Sequence, residues 1–516
     1  MNKRISKEWI LIIALAFFKL LLHFFTNTNY ELHRDAFLYL ALGDYLDWGF
    51  MSVPPTIAVL GNITRFLFGD SVFSIRLFPA LIGTASVVII GLIIRNMGGK
   101  TWAILLGCSA FILSPAFLRS NTLFQPVSFN QFYWLLTTYF IVKLVQTKNP
   151  QFWIHLGIVW GLAFLNKYSI AFLVVAFFIS LSLTSDRNLF RSKYFVFGSS
   201  LIFLIVLPNL IWQYNHNFPV VNHITELRVS QLVHVRMVDF LIAQLLMNFT
   251  NLVVWLFGLV FLLFLKEGKT YRVIGYTFLA VLVIFIVLKG KAYYALGIYP
   301  VLFAAGGFAI ENYLAGSLRY LKPVILGLMI ITLLPILPYS LPVYPLEKMI
   351  KYGEQSKKFG GEGALRWEDG RIHSLPQDYA DMVGWRELAE IVIQTYQSLP
   401  DSEKAFCAIY AENYGEAGSI KFHSKKYGLP EPISFSGSFL FWAPDSADLK
   451  TLIYVNDDTG DVSYYFNEVK KVGHITSPYA RESGMPVYLC QTPRNGFEDF
   501  YAEKVKRLKI QFRRGY

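Results

Sequence analysis

YELHRDAFLYLALGDYLDWGFMSVPPT, Tyr30–Thr56, follows the first apolar run of the chain and is too polar to cross a membrane. It opens with His33-Arg34-Asp35, a dense set of ionisable side chains at a membrane boundary. The residues after them predict a helix. Phe37, Leu38, Ala41, Leu42, Tyr45 and Trp48 make a broad apolar face, and Gly43, Asp44 and Asp47 a narrow polar one. A helix of that kind lies in the membrane interface rather than across it. Val53-Pro54-Pro55 ends it, because proline cannot continue the hydrogen-bond ladder and disfavours helix in the residue before it. Asp35 then has two compatible readings. It is an N-cap, for which aspartate is well suited, or it is a carboxylate held at the membrane surface to do chemistry.

Working outward, 54% of the 516 residues are hydrophobic and only 16% are charged, which is the composition of a polytopic membrane protein. The acidic residues concentrate after Tyr344. This divides the chain into a transmembrane domain, residues 1–344, with an outer first loop over 26–71, and an extramembrane domain, residues 345–516. The net charge of +12 comes largely from basic residues at membrane edges, and no motif for nucleic acid is present. The run from Trp9 to Phe25 follows Lys3, Arg4 and Lys7 without a small-residue cleavage site, so it reads as an uncleaved span. Three cysteines are too few for a disulfide framework. Cys407 and Cys490 read as buried thiols, with one bridge between them left open.

At roughly 20 apolar residues per span, the hydrophobic runs predict about eleven spans. They centre on 9–25, 72–94, 102–118, 127–145, 152–166, 169–184, 194–212, 238–264, 273–288, 295–311 and 323–340. Lysine and arginine fall in alternate loops, among them Arg95 and Lys100, Lys143 and Lys148, Arg187 to Lys193, Lys266 to Arg272, and Arg319 with Lys322. That bias makes this side cytoplasmic and puts Tyr30–Thr56 and residues 345–516 on the outer side of an inner membrane. Basic residues on the outer side are then exceptions: Arg34, Arg76, Arg119, Lys167, Arg228, Arg236, Lys289 and Lys291. Singly they read as lipid headgroup anchors; together they read as the lining of an anionic site. Three polar boundary motifs stand beside them: Thr122–Asn130 with Gln125 and Asn130, the Asn166-Lys167-Tyr168-Ser169 return, and Lys289-Gly290-Lys291-Ala292-Tyr293-Tyr294. An aromatic belt alone would account for the two tyrosines.

Residues 345–516 read as layered α/β. Strand-type runs are Phe406–Tyr410, Ile433–Phe435, Thr451–Val455 and Pro486–Cys490, and helical runs are Glu387–Tyr396, Gly415–Lys426 and Tyr464–Lys471. Ala411–Glu416 would open a helix whose N-terminus could take an anion, or would be an ordinary turn.

The ordered set HRD…WG…PP in the first outer loop, LNKYS, LPNLIWQ (Leu207–Gln213), GKAYYALGIYP (Gly290–Pro300) and YGEAGSIKFHSKKYGLP (Tyr414–Pro430) resembles bacterial glycosyltransferase family 39. These are GT-C membrane proteins similar to the protein O-mannosyltransferases and the lipid A aminoarabinose transferase. The resemblance implies inverting transfer of a sugar from a polyprenyl-phosphate carrier to a glycan, lipid or protein acceptor outside the cytoplasmic membrane. It implies that Asp35 is the general base. It sets Lys167, Lys291, Tyr293 and Tyr294 in the lipid-phosphate and sugar neighbourhood, and His33, Arg34, Gln125 and Asn130 are candidate substrate-binding residues beside them. The chain departs from the family where Ala36 replaces a glutamate, where Gln125 and Asn130 stand for an acidic residue, and where Val53 precedes Pro-Pro. Some relatives use a divalent metal; losing those carboxylates leaves such a site possible but doubtful here, because a hard cation wants several oxygen ligands. Two other readings are a lipid-linked sugar transporter or flippase, for which no internal repeat is evident, and a catalytically silent glycan-binding relative.

Overall fold

The computed structural model describes residues 6–230, 232–460 and 462–514. Lys3 and Arg4, which precede the first apolar run, lie outside them. The chain divides into two compact units. The first is Met1–Asn27, Phe73–Trp212 and Ile224–Val343; the second is Thr28–Val72, Gln213–His223 and Tyr344–Tyr516.

The first unit is helical, and its interior is one continuous apolar cluster. Among the described residues, five helices are long and apolar enough to cross a membrane: Val72–Asn96, Lys193–Asn215, Lys269–Val287, Ala292–Tyr313 and Gly316–Leu333. Two bent pairs raise the number to seven. Ile170–Ser182 turns by 116° into Ser185–Arg191, and Met237–Met247 by 61° into Phe249–Phe264. The expectation of about eleven spans is therefore corrected. The run at 102–118 yields a helix of only 12 residues, Thr101–Ile112, which stops before Ser114-Pro115. Phe152–Asn166 has 15 residues, about 22 Å of helix against a hydrocarbon core of about 30 Å. Lys7–Phe24 buries Lys19 and His23 within its length. Where Leu252–Phe264 crosses Tyr299–Tyr313, Gly258 and Gly306 bring the backbones together. A Cβ on Gly306 would strike the Val254 carbonyl, and one on Gly258 that of Leu302, the small-residue contact typical of membrane helices.

The second unit has a four-stranded sheet with helices on both faces. Its elements are α1 (Arg34–Asp44), α2 (Thr56–Phe68), α3 (Trp385–Ser398), β1 (Cys407–Ala411), α4 (Tyr414–Ser424), β2 (Thr451–Val455), β3 (Phe466–His474), β4 (Pro486–Pro493) and α5 (Phe497–Arg514). The order is β1-β2-β4-β3, with β1 and β2 parallel and the other pairs antiparallel. Alternate strand residues serve opposite faces. Ile409, Ile453 and Val487 pack with Leu38, Leu42, Leu388 and Ile420 from α1, α3 and α4. Tyr410, Leu452 and Cys490 pack with Phe497, Tyr501 and Val505 from α5. All three cysteines are buried free thiols.

Two local expectations fail here. Tyr464–Lys471 reads as helix, yet Phe466–His474 is a strand paired with β4; its Glu468, Lys470 and Lys471 suit an exposed sheet edge. Ile433–Phe435 forms only a bridge from Ile433 to Tyr410. The first-loop helix also differs from its expectation. Seven of its 11 residues are buried, because its apolar face packs on α4 and the sheet side of the core rather than remaining open for lipid.

Candidate functional site

In the second unit the HRD motif starts α1, but Asp35 is not its cap. His33 is the N-cap, and its Nδ1 accepts the Asp35 N–H at 3.2 Å. The cap reading of Asp35 is thereby corrected, and its carboxylate is left for other partners. Tyr414, the first residue of α4, donates its hydroxyl to Asp35 Oδ1 at 2.8 Å. The Arg34 guanidinium lies 5.0 Å from the centre of the Tyr414 ring, within cation–π range. Burial first, then the Asp35 charge, push the Tyr414 hydroxyl up, so it remains a proton donor to the carboxylate. The Asp35 side chain keeps 27% of its surface exposed, whereas that of His33 keeps 7%: the carboxylate is anchored at one oxygen yet open to solvent.

A second segment fixes the backbone of the motif. Arg34 N–H donates to the Asp381 carbonyl at 3.0 Å, and Glu31 N–H to Met382 at 3.1 Å. The Arg386 N–H returns to Glu31 Oε2 at 3.0 Å. His33 Nε2 lies 3.6 Å from Asp381 Oδ2. Burial raises the Asp381 carboxyl, against the pull of His33, Arg34 and Arg481. Donor atoms of His33, Asp378 and Asp381 fall within 4.8 Å of one another, so the group could hold a divalent cation. The proton inventory of His33 counts against it. Nδ1 accepts an amide N–H, so the proton of a neutral ring sits on Nε2, the nitrogen facing Asp381. A metal-ligating histidine instead donates from its other nitrogen.

In the first unit the polar boundary motifs converge in part. Lys167 follows the helix Phe152–Asn166 in extended conformation, its N–H on the Ala163 carbonyl. Its ammonium lies 6.0 Å from the Tyr293 ring centre and 5.6 Å from that of Tyr294. These tyrosines belong to the tight helical turn Ala292–Ile298, entered through Lys289 at positive φ, Gly290 and Lys291. Asn130 is buried and accepts from the Ser169 hydroxyl at 3.4 Å, and Asn166 donates to the Pro126 carbonyl at 3.0 Å. Lys167, Tyr293, Tyr294 and Asn130 are thus neighbours. Gln125 precedes Pro126 as the N-cap of Pro126–Thr147, and its carbonyl accepts the Ser128 N–H. Lys291 shares the tyrosine turn. Sequence reasoning missed Tyr414 as a partner of Asp35, 379 residues away, and it missed Asp381.

The family model for dolichyl-phosphate-mannose-protein mannosyltransferase matches residues 52–212. Crystal structures of ArnT from Cupriavidus metallidurans superpose over 93% of this chain and 97% of theirs. The TM-score is 0.64 at 14% identity for the apo state, and 0.60 at 13% for the form bound to undecaprenyl phosphate. The chain has the fold of these ArnT structures. Among curated proteins it is similar to the lipid A galacturonosyltransferase RgtD of Rhizobium johnstonii, 26% identical over 179 residues, which are 34% of this chain and 37% of that relative's length.

Proposed function

We propose that the chain is a glycosyltransferase that moves a sugar from a polyprenyl-phosphate carrier to an acceptor hydroxyl, with inversion. The observation that carries this is the Asp35 carboxylate, accessible and anchored by Tyr414. An acceptor hydroxyl is a weak nucleophile. As its oxygen bonds the anomeric carbon, Asp35 takes its proton. The bond from that carbon to the phosphate oxygen breaks on the opposite face, and the lipid phosphate leaves with the electron pair. Fixed cations stabilise that developing charge, a role assigned to Lys167 and Lys291. The GT-C fold and the undecaprenyl phosphate named with one ArnT structure support such a donor. Purified protein given polyprenyl-phosphate sugar and acceptor should release lipid phosphate in step with product; no acceptor-dependent release would overturn the reading.

Three results test its parts. Lys167→Ala and Lys291→Ala should each cost about 2–4 kcal/mol of transition-state stabilisation, by analogy with loss of one oxyanion donor; unchanged kinetics in both would reduce them to headgroup anchors. Tyr414→Phe removes one hydrogen bond to a charged group, about 1.5–3 kcal/mol, and should lower kcat roughly tenfold or more while KM for donor holds. The loop-charge bias puts Tyr30–Thr56 and residues 345–516 outside the cytoplasmic membrane. Cysteine-accessibility labelling of both from the outer side is expected, and labelling of either only from the cytoplasm contradicts it.

A further inference from the structure

Helices α1 and α4 run parallel. Arg34 meets Gly415 at their N-terminal ends, Phe37 meets Gly418, and Asp44 meets Lys421 at their C-terminal ends. Asp35 and Tyr414 occupy the first end. A cavity of ≈ 360 Å³ lies toward the other, with Phe37, Leu40, Ala41 and Phe422 as its apolar lining.

Five charged side chains of the lining, Asp44, Arg65, Lys421, Lys425 and Glu431, form with Asp70, which lies outside the lining, a chain of six charges that alternate in sign. Lys421 pairs with Glu431 and, at 3.4 Å, with Asp44. Asp44 accepts from Arg65 Nη1 at 2.9 Å, and Arg65 Nε reaches Asp70 at 2.6 Å. Asp70 ends the chain at Lys425, 3.3 Å away. Exposed ion pairs contribute little to stability. Here the Arg65 and Lys421 side chains are only 12% exposed, so the network carries a desolvation cost that packing alone does not require. Three positive and three negative groups cancel, which leaves no net attraction for a phosphate or a cation. They do offer donors and acceptors side by side against an apolar wall. The Nη2 donors of Arg65 have no partner among the described residues, since its bonds run from Nε and Nη1.

We propose that this cavity binds a neutral, hydroxyl-rich group: a glycan portion of the acceptor, remote from the hydroxyl that reacts. Sugar hydroxyls exchange hydrogen bonds with both signs of charge, and sugar C–H faces cover Leu40 and Phe422, the mixture of few polar groups and apolar wall usual in ligand sites. From Asp35 to Asp44 the helix rises about 13 Å, within the reach of a short oligosaccharide. The acceptor role rests on the transferase reading; the binding does not.

The test is saturation-transfer difference NMR on the full-length protein in detergent, with maltotriose as the neutral probe and glucose 1-phosphate as the anionic one. Maltotriose should receive saturation, glucose 1-phosphate should not compete, and the signal should fall at least fivefold in both Glu431→Gln and Lys421→Met. Glu431 is 64% exposed, so its variant keeps the fold even where Lys421→Met does not. No transfer to maltotriose, an undiminished signal in Glu431→Gln, or preference for the anionic sugar would each overturn the proposal. Turnover of donor lipid is scored separately: a wild-type enzyme that transfers sugar but ignores maltotriose defeats this inference alone, and one that binds maltotriose but never transfers defeats the transferase role.

Discussion

Asp35→Asn should insert, fold and bind donor lipid, yet transfer sugar about 10²–10⁴-fold more slowly, the usual contribution of a positioned general base. The substitution is conservative in every respect but one. Asparagine keeps the size of the side chain, and its carbonyl oxygen still accepts the Tyr414 hydroxyl that now meets Asp35 Oδ1. The cap of α1 is untouched, because His33 supplies it. What asparagine cannot do is accept the proton of the acceptor hydroxyl. A chromatographic assay for released lipid phosphate, run beside a thermal melt, separates the two effects. A normal melt with lost release identifies the base. A normal melt with undiminished, acceptor-dependent release removes Asp35 from that role and turns attention to Asp44 and Asp47, further along the same loop.

The cap illustrates what was legible and what was not. Composition and local pattern were enough for a helical membrane chain followed by an α/β domain, since both depend on runs of adjacent residues. Thr451–Val455 is a strand over its expected length because five successive buried residues allow little else. The span count failed because a hydrophobic run does not disclose how long its helix will be: the run at 102–118 yields only Thr101–Ile112, and Phe152–Asn166 has 15 residues. Tyr464–Lys471 misled for the converse reason, its lysines and glutamate being compatible with both a helix and a charged sheet edge. Lys167, Tyr293 and Tyr294 were individually visible as polar groups at span ends, and the structure brings them together. Tyr414 opens the YGEAGSIKFHSKKYGLP stretch, but nothing local to α4 points to a carboxylate 379 residues earlier.

That same motif holds a group whose effect on stability should be large. Glu416 is fully buried and forms a capping box with Asn413, accepting its N–H at Oε2. Its Oε1 has no hydrogen-bond partner among the described residues. Burial, then the neighbouring Glu482, push the Glu416 carboxyl up to about 8 from an ordinary 4.5. The folded state therefore holds a proton that the unfolded chain releases, and stability falls as pH rises from about 4.5 to about 8. Below about 6.5 a second group works in the opposite direction. His423 is lowered to about 4 by burial, so stability rises with pH between about 4 and 6.5. Above the His423 titration the window for Glu416 is pH 6.5–8, where 1.5 units correspond to roughly 2 kcal/mol. Glutamine serves equally well at this position of a capping box and carries no charge to desolvate. Over that window the melting temperature of the wild type should drop roughly 4–8 °C more than that of Glu416→Gln, read by thermal unfolding of the full-length protein in detergent. Parallel curves for the two proteins would mean that Glu416 is already ionised in the fold, its charge balanced by Arg34 and the α4 N-terminus.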